Sequence, residues 1–167
     1  MSVHDLVLTP TGLRFAGRRF ACTIGRGGLT RDKREGDGAT PEGVHRIIGM
    51  FYRPDRLGGQ SLPDWALPIR LGDQWSDDSN DPDYNHLVRT PHPFSHEEMR
   101  RADPLYDLVM ITDWNWPDAR PGKGSAIFLH RWRRPGFPTA GCVAFGPSDL
   151  LWIASRVRFG ARLIVRR

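Results

Sequence analysis

Apolar residues gather in several short runs of the chain bounded by turn residues, and runs of that length and composition belong to strands. Leu6 to Leu8, Leu13 to Phe15 and Phe20 to Ile24 are three such runs, punctuated by Thr-Pro-Thr-Gly and Ala-Gly, and they predict an N-terminal meander. Val44 to Tyr52 predicts another strand. Leu105 to Thr112 and Ser125 to His130 are rich in Val, Ile and Leu and predict buried strands. From about Arg53 to Thr90 the pattern breaks down among Pro, Gly and Asp residues, and an irregular stretch of that length inside a compact domain usually has a functional reason.

Two places predict helices. Ser95-His-Glu-Glu98 is a capping box, in which Ser95 accepts a free amide of the first turn and Glu98 reaches back, so a short helix is expected to about Ala102. Ser148 can cap a second helix with Leu150, Ile153, Ala154 and Val157 on one face. Gly160 follows its end, and Arg162 to Val165 make a closing strand. The count predicts a mainly β fold with two short helices. No repeat, low-complexity tract or linker divides the chain, so residues 1–167 are expected to form a single domain.

Composition agrees with this picture. The chain holds 18 Gly and 14 Pro, so it turns often. Hydrophobic residues make up 39% of it, which is enough for a core and argues against disorder. No run approaches the roughly 20 apolar residues that a helical membrane span needs. Met1 to Pro10 has neither a basic start nor an apolar stretch of secretory type, so the sequence as written predicts a cytoplasmic protein, or a periplasmic one if the true N-terminus is missing.

Charge is unevenly placed. The net charge is +5, and between Ala119 and Arg167 there are ten bases and one acid, Asp149. Nucleic acid, acidic lipid and an anionic small substrate are all compatible with that excess, as is a solvated face.

Several tempting motifs fail. His96-Glu97-Glu98-Met99-Arg100 lacks the second His of a zinc-protease helix. The alternating acids from Asp77 to Asp83 resemble a calcium loop, but Pro82 stands where Gly is needed. Gly122-Lys-Gly-Ser125 is not a phosphate-binding loop, and two cysteines cannot alone make a structural zinc site.

One constellation survives. His130 lies at a strand end, twelve positions before Cys142, and Arg131, Arg133 and Arg134 stand in the loop between them. A thiol is a poor nucleophile until deprotonated, and a neighbouring imidazole can take its proton and return it to a leaving amine. Gly141 allows close backbone approach to a carbonyl, and the amides of Gly141 and Cys142 could hold the oxyanion. The loop arginines are expected to favour a thiolate and an anionic substrate. Cys22, inside Phe-Ala-Cys-Thr-Ile, is expected to be core.

Ile127-Phe-Leu-His130 followed by Thr139-Ala-Gly-Cys142-Val resembles the active-site signature of the YkuD-type L,D-transpeptidase catalytic domain. Upstream, Thr40-Pro41-Glu-Gly43-Val-His-Arg-Ile47 is similar to that family's Thr-Pro-x-Gly segment. Trp75-Ser-Asp77-Asp78, Tyr84-Asn85, Tyr106-Asp107 and Pro121 to Ala126 extend the resemblance, which runs from about residue 20 to the C-terminus.

The resemblance implies a β-sandwich of mixed sheets with the Cys in a cleft, peptidoglycan stem peptides or muropeptides as substrate, and no metal or organic cofactor. It implies that Cys142 attacks the carbonyl of the diamino acid and releases D-alanine. An amine, such as a D-amino acid, then takes the thioester in a transpeptidase; water takes it in an L,D-carboxypeptidase of cytoplasmic muropeptide recycling. Carbapenem-type inhibitors would acylate the same thiol. By resemblance His130 is the base, the Arg131 carbonyl orients it, Gly141 and Cys142 hold the oxyanion, and Thr139 braces the loop. Ala140 and Ala144 stand where many members carry His and Arg or Asn. The side chains of Arg131, Arg133 and Arg134 are therefore candidates for the stem-peptide carboxylate.

Asp77 and Asp78 either cap turns in the long loop or hold a substrate amine. Tyr84 and Asn115 are expected to frame the same cleft, Trp75 to frame it or, by preference, to pack in the core, and Trp152 to be core. A non-catalytic peptidoglycan-binding module and a nucleic-acid binder are the rival readings; the intact His130 and Cys142 argue against the first.

Overall fold

The computed structural model describes residues 2–166. The chain opens with β1 (Leu6–Thr9), β2 (Gly12–Phe15) and β3 (Arg18–Phe20), then β4 (Cys22–Thr23), β5 (Leu29–Thr30), β6 (Thr40–Pro41) and the long β7 (Gly43–Tyr52). Helix α1 (Pro54–Leu57), β8 (Leu67–Pro68), β9 (Asp73–Ser76), β10 (Leu87–Arg89) and β11 (His96–Glu98) follow. β12 (Leu108–Thr112), β13 (Phe128–Arg131), β14 (Val143–Phe145), helix α2 (Pro147–Ala154) and β15 (Arg162–Val165) complete it.

The fold is mainly β, with a mixed sheet and two short helices among the described residues. The large sheet runs β3-β2-β1-β15-β7-β12-β13-β14-β4, with β8 beside β7. Its ends, β3 and β4, are separated in the chain only by Ala21, so the sheet nearly closes on itself. The pairs β1/β15, β7/β8 and β13/β14 are parallel. A three-stranded sheet, β10-β9-β11, is separate from it.

Alternation along β12 and β13 explains how the core divides. Leu108, Met110 and Leu129 face one apolar cluster, built with the N-terminal meander and α2. Val109, Ile111 and Phe128 face the other, which also holds Trp75 of the small sheet, Tyr106 and Cys142. Both strands are thus buried on both faces, and their sequences are correspondingly apolar. The Trp75 ring stands edge-on to Phe128 at 5.0 Å and fastens the small sheet to the large one.

Several expectations change. The segment from Ser95 forms no helix: His96, Glu97 and Glu98 pair antiparallel with Ser76, Trp75 and Gln74. A capping box stabilises a helix by local bonds only, and here the ladder to β9, with Gln74 donating to Glu98 at 2.7 Å, competes successfully. The second helix is α1 instead. Helix α2 starts one residue before Ser148, with Pro147 in its first turn and Gly146 at the cap, so Ser148 caps nothing. The stretch 53–90 is not wholly irregular, since it holds α1, β8, β9 and β10. The run Phe20 to Ile24 breaks at Ala21 as the chain passes from one end of the sheet to the other. β13 begins at Phe128 rather than Ser125, because Ala126 takes a positive φ of 51°. Trp152 packs against the core at Phe15 and Phe20 as expected but is only half-buried, with the guanidinium groups of Arg18 and Arg156 over its ring.

Candidate active site

β13 and β14 are parallel neighbours with His130 level with Ala144, so Cys142, which leads into β14, lies level with Phe128 and two positions along the sheet from His130. Period two places His130 on the face of Phe128, toward the cluster that contains Cys142. The intervening loop is stitched to the segment after β4: the Thr139 amide donates to Ile24 O and the Arg26 amide to Thr139 O, each at 2.9 Å.

Side-chain hydroxyls fix the turn before the cysteine. Thr139 Oγ1 donates to Cys142 O at 2.6 Å and accepts the Gly141 amide at 3.1 Å. Thr40 Oγ1 donates to Gly141 O at 2.8 Å and accepts the Gly25 amide at 2.9 Å. The Thr-Pro-x-Gly segment therefore clamps the cysteine loop from a distant part of the chain. Gly141 has φ of 144°, and a β-carbon there would stand 2.9 Å from Ala39 O, so only glycine fits without strain. Its amide is committed to Thr139, so it is not free for an oxyanion in this state.

His130 Nδ1 lies 2.7 Å from the Arg131 carbonyl. A carbonyl only accepts, so Nδ1 carries the proton and Nε2 is left with the lone pair. Cys142 Sγ donates to Ala126 O at 3.1 Å and accepts the Phe128 amide at 3.4 Å. Both residues are nearly enclosed, Cys142 at 8% and His130 at 7% exposure. Burial pushes the thiol up to about 12, the charge of Glu97 adds to that, and the Phe128 amide and Lys33 oppose it. Burial brings the imidazole down to about 4. The resting pair is a neutral thiol and a neutral imidazole. The expected loop-arginine support for a thiolate is absent, since no arginine contributes to the Cys142 shift.

Cys142 and His130 line a cleft of about 480 Å³. Its walls carry Glu35, Asp77 and Glu97 on one hand and Arg26, Lys33, Arg101 and Arg133 on the other. Of the expected residues, Thr139, Arg133 and Asp77 line the cleft as well. Arg131 lines a separate groove with Leu57 and Asp107, and neither it nor Arg134, which stands 5.0 Å from the Phe137 ring centre, lines the cleft. Asp78 caps a turn by accepting the Asn80 amide at 2.9 Å. Asn115 supports its own loop through Arg120 and Gly124 and lies away from the cleft. Tyr84 is buried and donates its hydroxyl to Glu35, which also accepts from Ser125 at 2.8 Å, so it acts from behind the wall.

Sequence reasoning missed Glu97 and Arg101 because it placed them in a helix that does not form. Tyr106 lies in a motif of the sequence that assigns it no role. The Tyr106 hydroxyl donates to Glu97, and its ring stands edge-on to His130 at 5.3 Å. Among the described residues no group of His, Cys, Asp and Glu is arranged to hold a metal ion. No helix among them is long and apolar enough to cross a membrane.

The family model described as the L,D-transpeptidase catalytic domain (YkuD) matches residues 9–165. No curated protein matches the chain. Among solved structures, an L,D-transpeptidase from Mycobacterium smegmatis is similar at 14% identity and a TM-score of 0.44, over 98% of this chain and 57% of that one.

Proposed function

The chain belongs to the L,D-transpeptidase catalytic domain family, and we propose that it transfers the acyl part of peptidoglycan stem peptides through a thioester on Cys142. The observation that carries this reading is the hydrogen bond from His130 Nδ1 to the Arg131 carbonyl, which leaves Nε2 as a base in the same cleft as the thiol.

With the thiol near 12 and the imidazole near 4, a free thiolate is strongly disfavoured. Proton transfer to Nε2 is therefore coupled to attack of Sγ on the diamino acid carbonyl. The carbonyl oxygen becomes an oxyanion held by the Cys142 amide, and by the Gly141 amide once it exchanges Thr139 for substrate. Collapse breaks the C–N bond, and His130 returns its proton to the departing D-alanine amine. In the second half an acceptor amine, such as that of a D-amino acid, attacks the thioester carbonyl, loses a proton to His130, and thiol is regenerated. Arg133 stands on the cleft wall as the fork for the peptide carboxylate.

The test is product analysis. A tetrapeptide muropeptide is incubated with the protein, with and without a D-amino acid, and the products are weighed. D-alanine exchange or a dimer supports the transpeptidase. D-alanine loss alone identifies a carboxypeptidase with water as acceptor. Binding without any product, matched by Cys142→Ala, would leave a peptidoglycan-binding module and overturn the reading.

A further inference from the structure

The sulfur of Cys142 is held by the backbone that leads into β13. It donates to the Ala126 carbonyl at 3.1 Å and accepts the Phe128 amide at 3.4 Å. Among the described residues no hydrogen bond joins it to His130, whose Nδ1 is bound to Arg131 O. His130 stands two residues farther along the sheet, about 7 Å at the usual rise of a strand. The thiol proton therefore rests on a carbonyl and not on the base.

Ala126 adopts a conformation that costs free energy. Its φ is 51°, in the left-handed region that an alanine side chain disfavours. Asn85 at 60° and Asn115 at 50° share that region, and one side chain ties all three together. Asn85 Oδ1 accepts the Ala126 amide and the Trp75 indole, each at 3.0 Å. Its Nδ2 donates to Trp114 O at 2.9 Å and to Asn115 O at 2.8 Å. Both lone pairs and both hydrogens of the amide are used, and Asn85 is 2% exposed, so it has no freedom to turn. Among the described residues the only other non-glycine at positive φ is Ala16, in a turn of the N-terminal meander. Strain of this kind persists only where its surroundings hold it, and it gathers at functional sites. Here it gathers directly behind the cysteine.

We propose that Asn85 is a positioning residue for the nucleophile: by holding Ala126 in the left-handed conformation it aims a carbonyl that parks the Cys142 thiol short of His130. The inference rests on the acyl-transfer reading and adds to it a control of the nucleophile. An acceptor that bonds S–H favours the neutral thiol, and its lone pairs repel a thiolate. The Phe128 amide does the reverse. The thiol leaves Ala126 by turning about its Cα–Cβ bond, and its proton passes to Nε2 of His130 as Sγ attacks. The deprotonated sulfur cannot return to the carbonyl, and the sulfur of the thioester has no proton to offer it. Parking is restored only when turnover regenerates the thiol.

A merely structural Asn85 would support the loops behind the cleft and leave the thiol unaffected, and infrared spectroscopy separates the two roles. The S–H stretch falls in wavenumber when the thiol donates a hydrogen bond. The experiment uses the full chain carrying Cys22→Ala, which removes the other thiol from a groove apart from the cleft. In this parent the band is expected at the low wavenumber of a bonded thiol. In Asn85→Ala, and in the milder Asn85→Ser, it is expected to move to the position of a free thiol. Iodoacetamide at pH 9 is expected to alkylate Cys142 of both variants about three- to tenfold faster than the parent, the worth of one hydrogen bond.

Two controls isolate the cause. Leu8→Ala weakens the other apolar cluster, so it lowers stability without touching the site. Ala126→Gly keeps the carbonyl, and glycine takes the left-handed conformation at no cost. Both are expected to keep the bonded band and to alkylate within about twofold of the parent. A free-thiol band in the parent overturns the parking whether or not the Asn85 variants fold. An unchanged band in the Asn85 variants, or a band lost equally in Leu8→Ala or Ala126→Gly, would overturn the role of Asn85. Neither readout requires turnover, so failure of the acyl-transfer reading shows separately, as absence of products from the tetrapeptide.

Discussion

Gly141 and Thr40 decide the shape of the backbone that presents Cys142. Replacing Gly141 with Ala sets a β-carbon 2.9 Å from Ala39 O at a φ of 144°. The strained position is expected to cost about 1–3 kcal/mol in urea unfolding, and turnover is expected to fall more than stability, because the loop must shift to make room. Thr40→Val is the milder probe. It deletes the hydroxyl that joins the Gly25 amide to the Gly141 carbonyl, leaves both buried groups unpaired, and is expected to cost about 1–3 kcal/mol while the fold survives. A Thr40→Val protein as stable and as active as wild type would show that the clamp carries nothing. At the same scale, a Cys142 that stays unreactive to iodoacetamide near neutral pH is expected from its burial, with reactivity rising only as the pH climbs toward 12.

Asn85 is the residue through which separate elements meet behind the cleft. Its side chain accepts the Trp75 indole N–H of β9 and the Ala126 amide ahead of β13, each at 3.0 Å. Its amide nitrogen donates to the carbonyls of Trp114 and Asn115. Asn85→Ala deserts all four groups in a buried site and is expected to cost about 2–5 kcal/mol, read as a lowered urea midpoint; an unchanged midpoint would contradict that role. Such a hub is invisible to pattern reading, because its partners lie 10 to 41 positions away. What the sequence made legible was local or strongly periodic. β7, β12, the closing strand and α2 follow directly from apolar spacing, and Thr40-Pro-x-Gly and His130…Gly-Cys142 stand out as motifs. The small sheet did not, since β9, β10 and β11 have three or four residues each and exist only by pairing with one another. The misplaced helix over 95–102 concealed Glu97 for that reason: its side chain enters the cleft only because the segment is a strand.

For the molecule as a whole, burial of ionisable groups sets the pH range of stability. His130 titrates near 4 when folded and near 6.5 when unfolded, so between those values the unfolded chain binds more protons. Stability from this group is complete above about pH 6.5 and is lost as the pH falls toward 4, by about 3 kcal/mol in all. His45, also lowered by burial, acts with the same sign. Cys142 works at the other end, because its folded value near 12 exceeds the unfolded 9.0, and stability is lost as the pH rises above about 9. Urea midpoints are therefore expected to be highest near neutral pH and lower at pH 5 and pH 10; a midpoint that rises at pH 5 would contradict the buried neutral imidazole. The basic excess of residues 119–167 does not gather at the cleft: of its ten bases only Arg133 lines it, beside Arg26, Lys33 and Arg101 from earlier in the chain and three carboxylates. A wall with both signs suits a zwitterionic peptide better than a polyanion such as nucleic acid. The central claim is a covalent one, and intact-mass spectrometry of the protein mixed with a tetrapeptide muropeptide tests it most directly. The account predicts an adduct equal to the muropeptide less D-alanine, mapped to Cys142 and missing from Cys142→Ala. D-alanine release by Cys142→Ala at the wild-type rate, with no adduct on the wild-type protein, would contradict it.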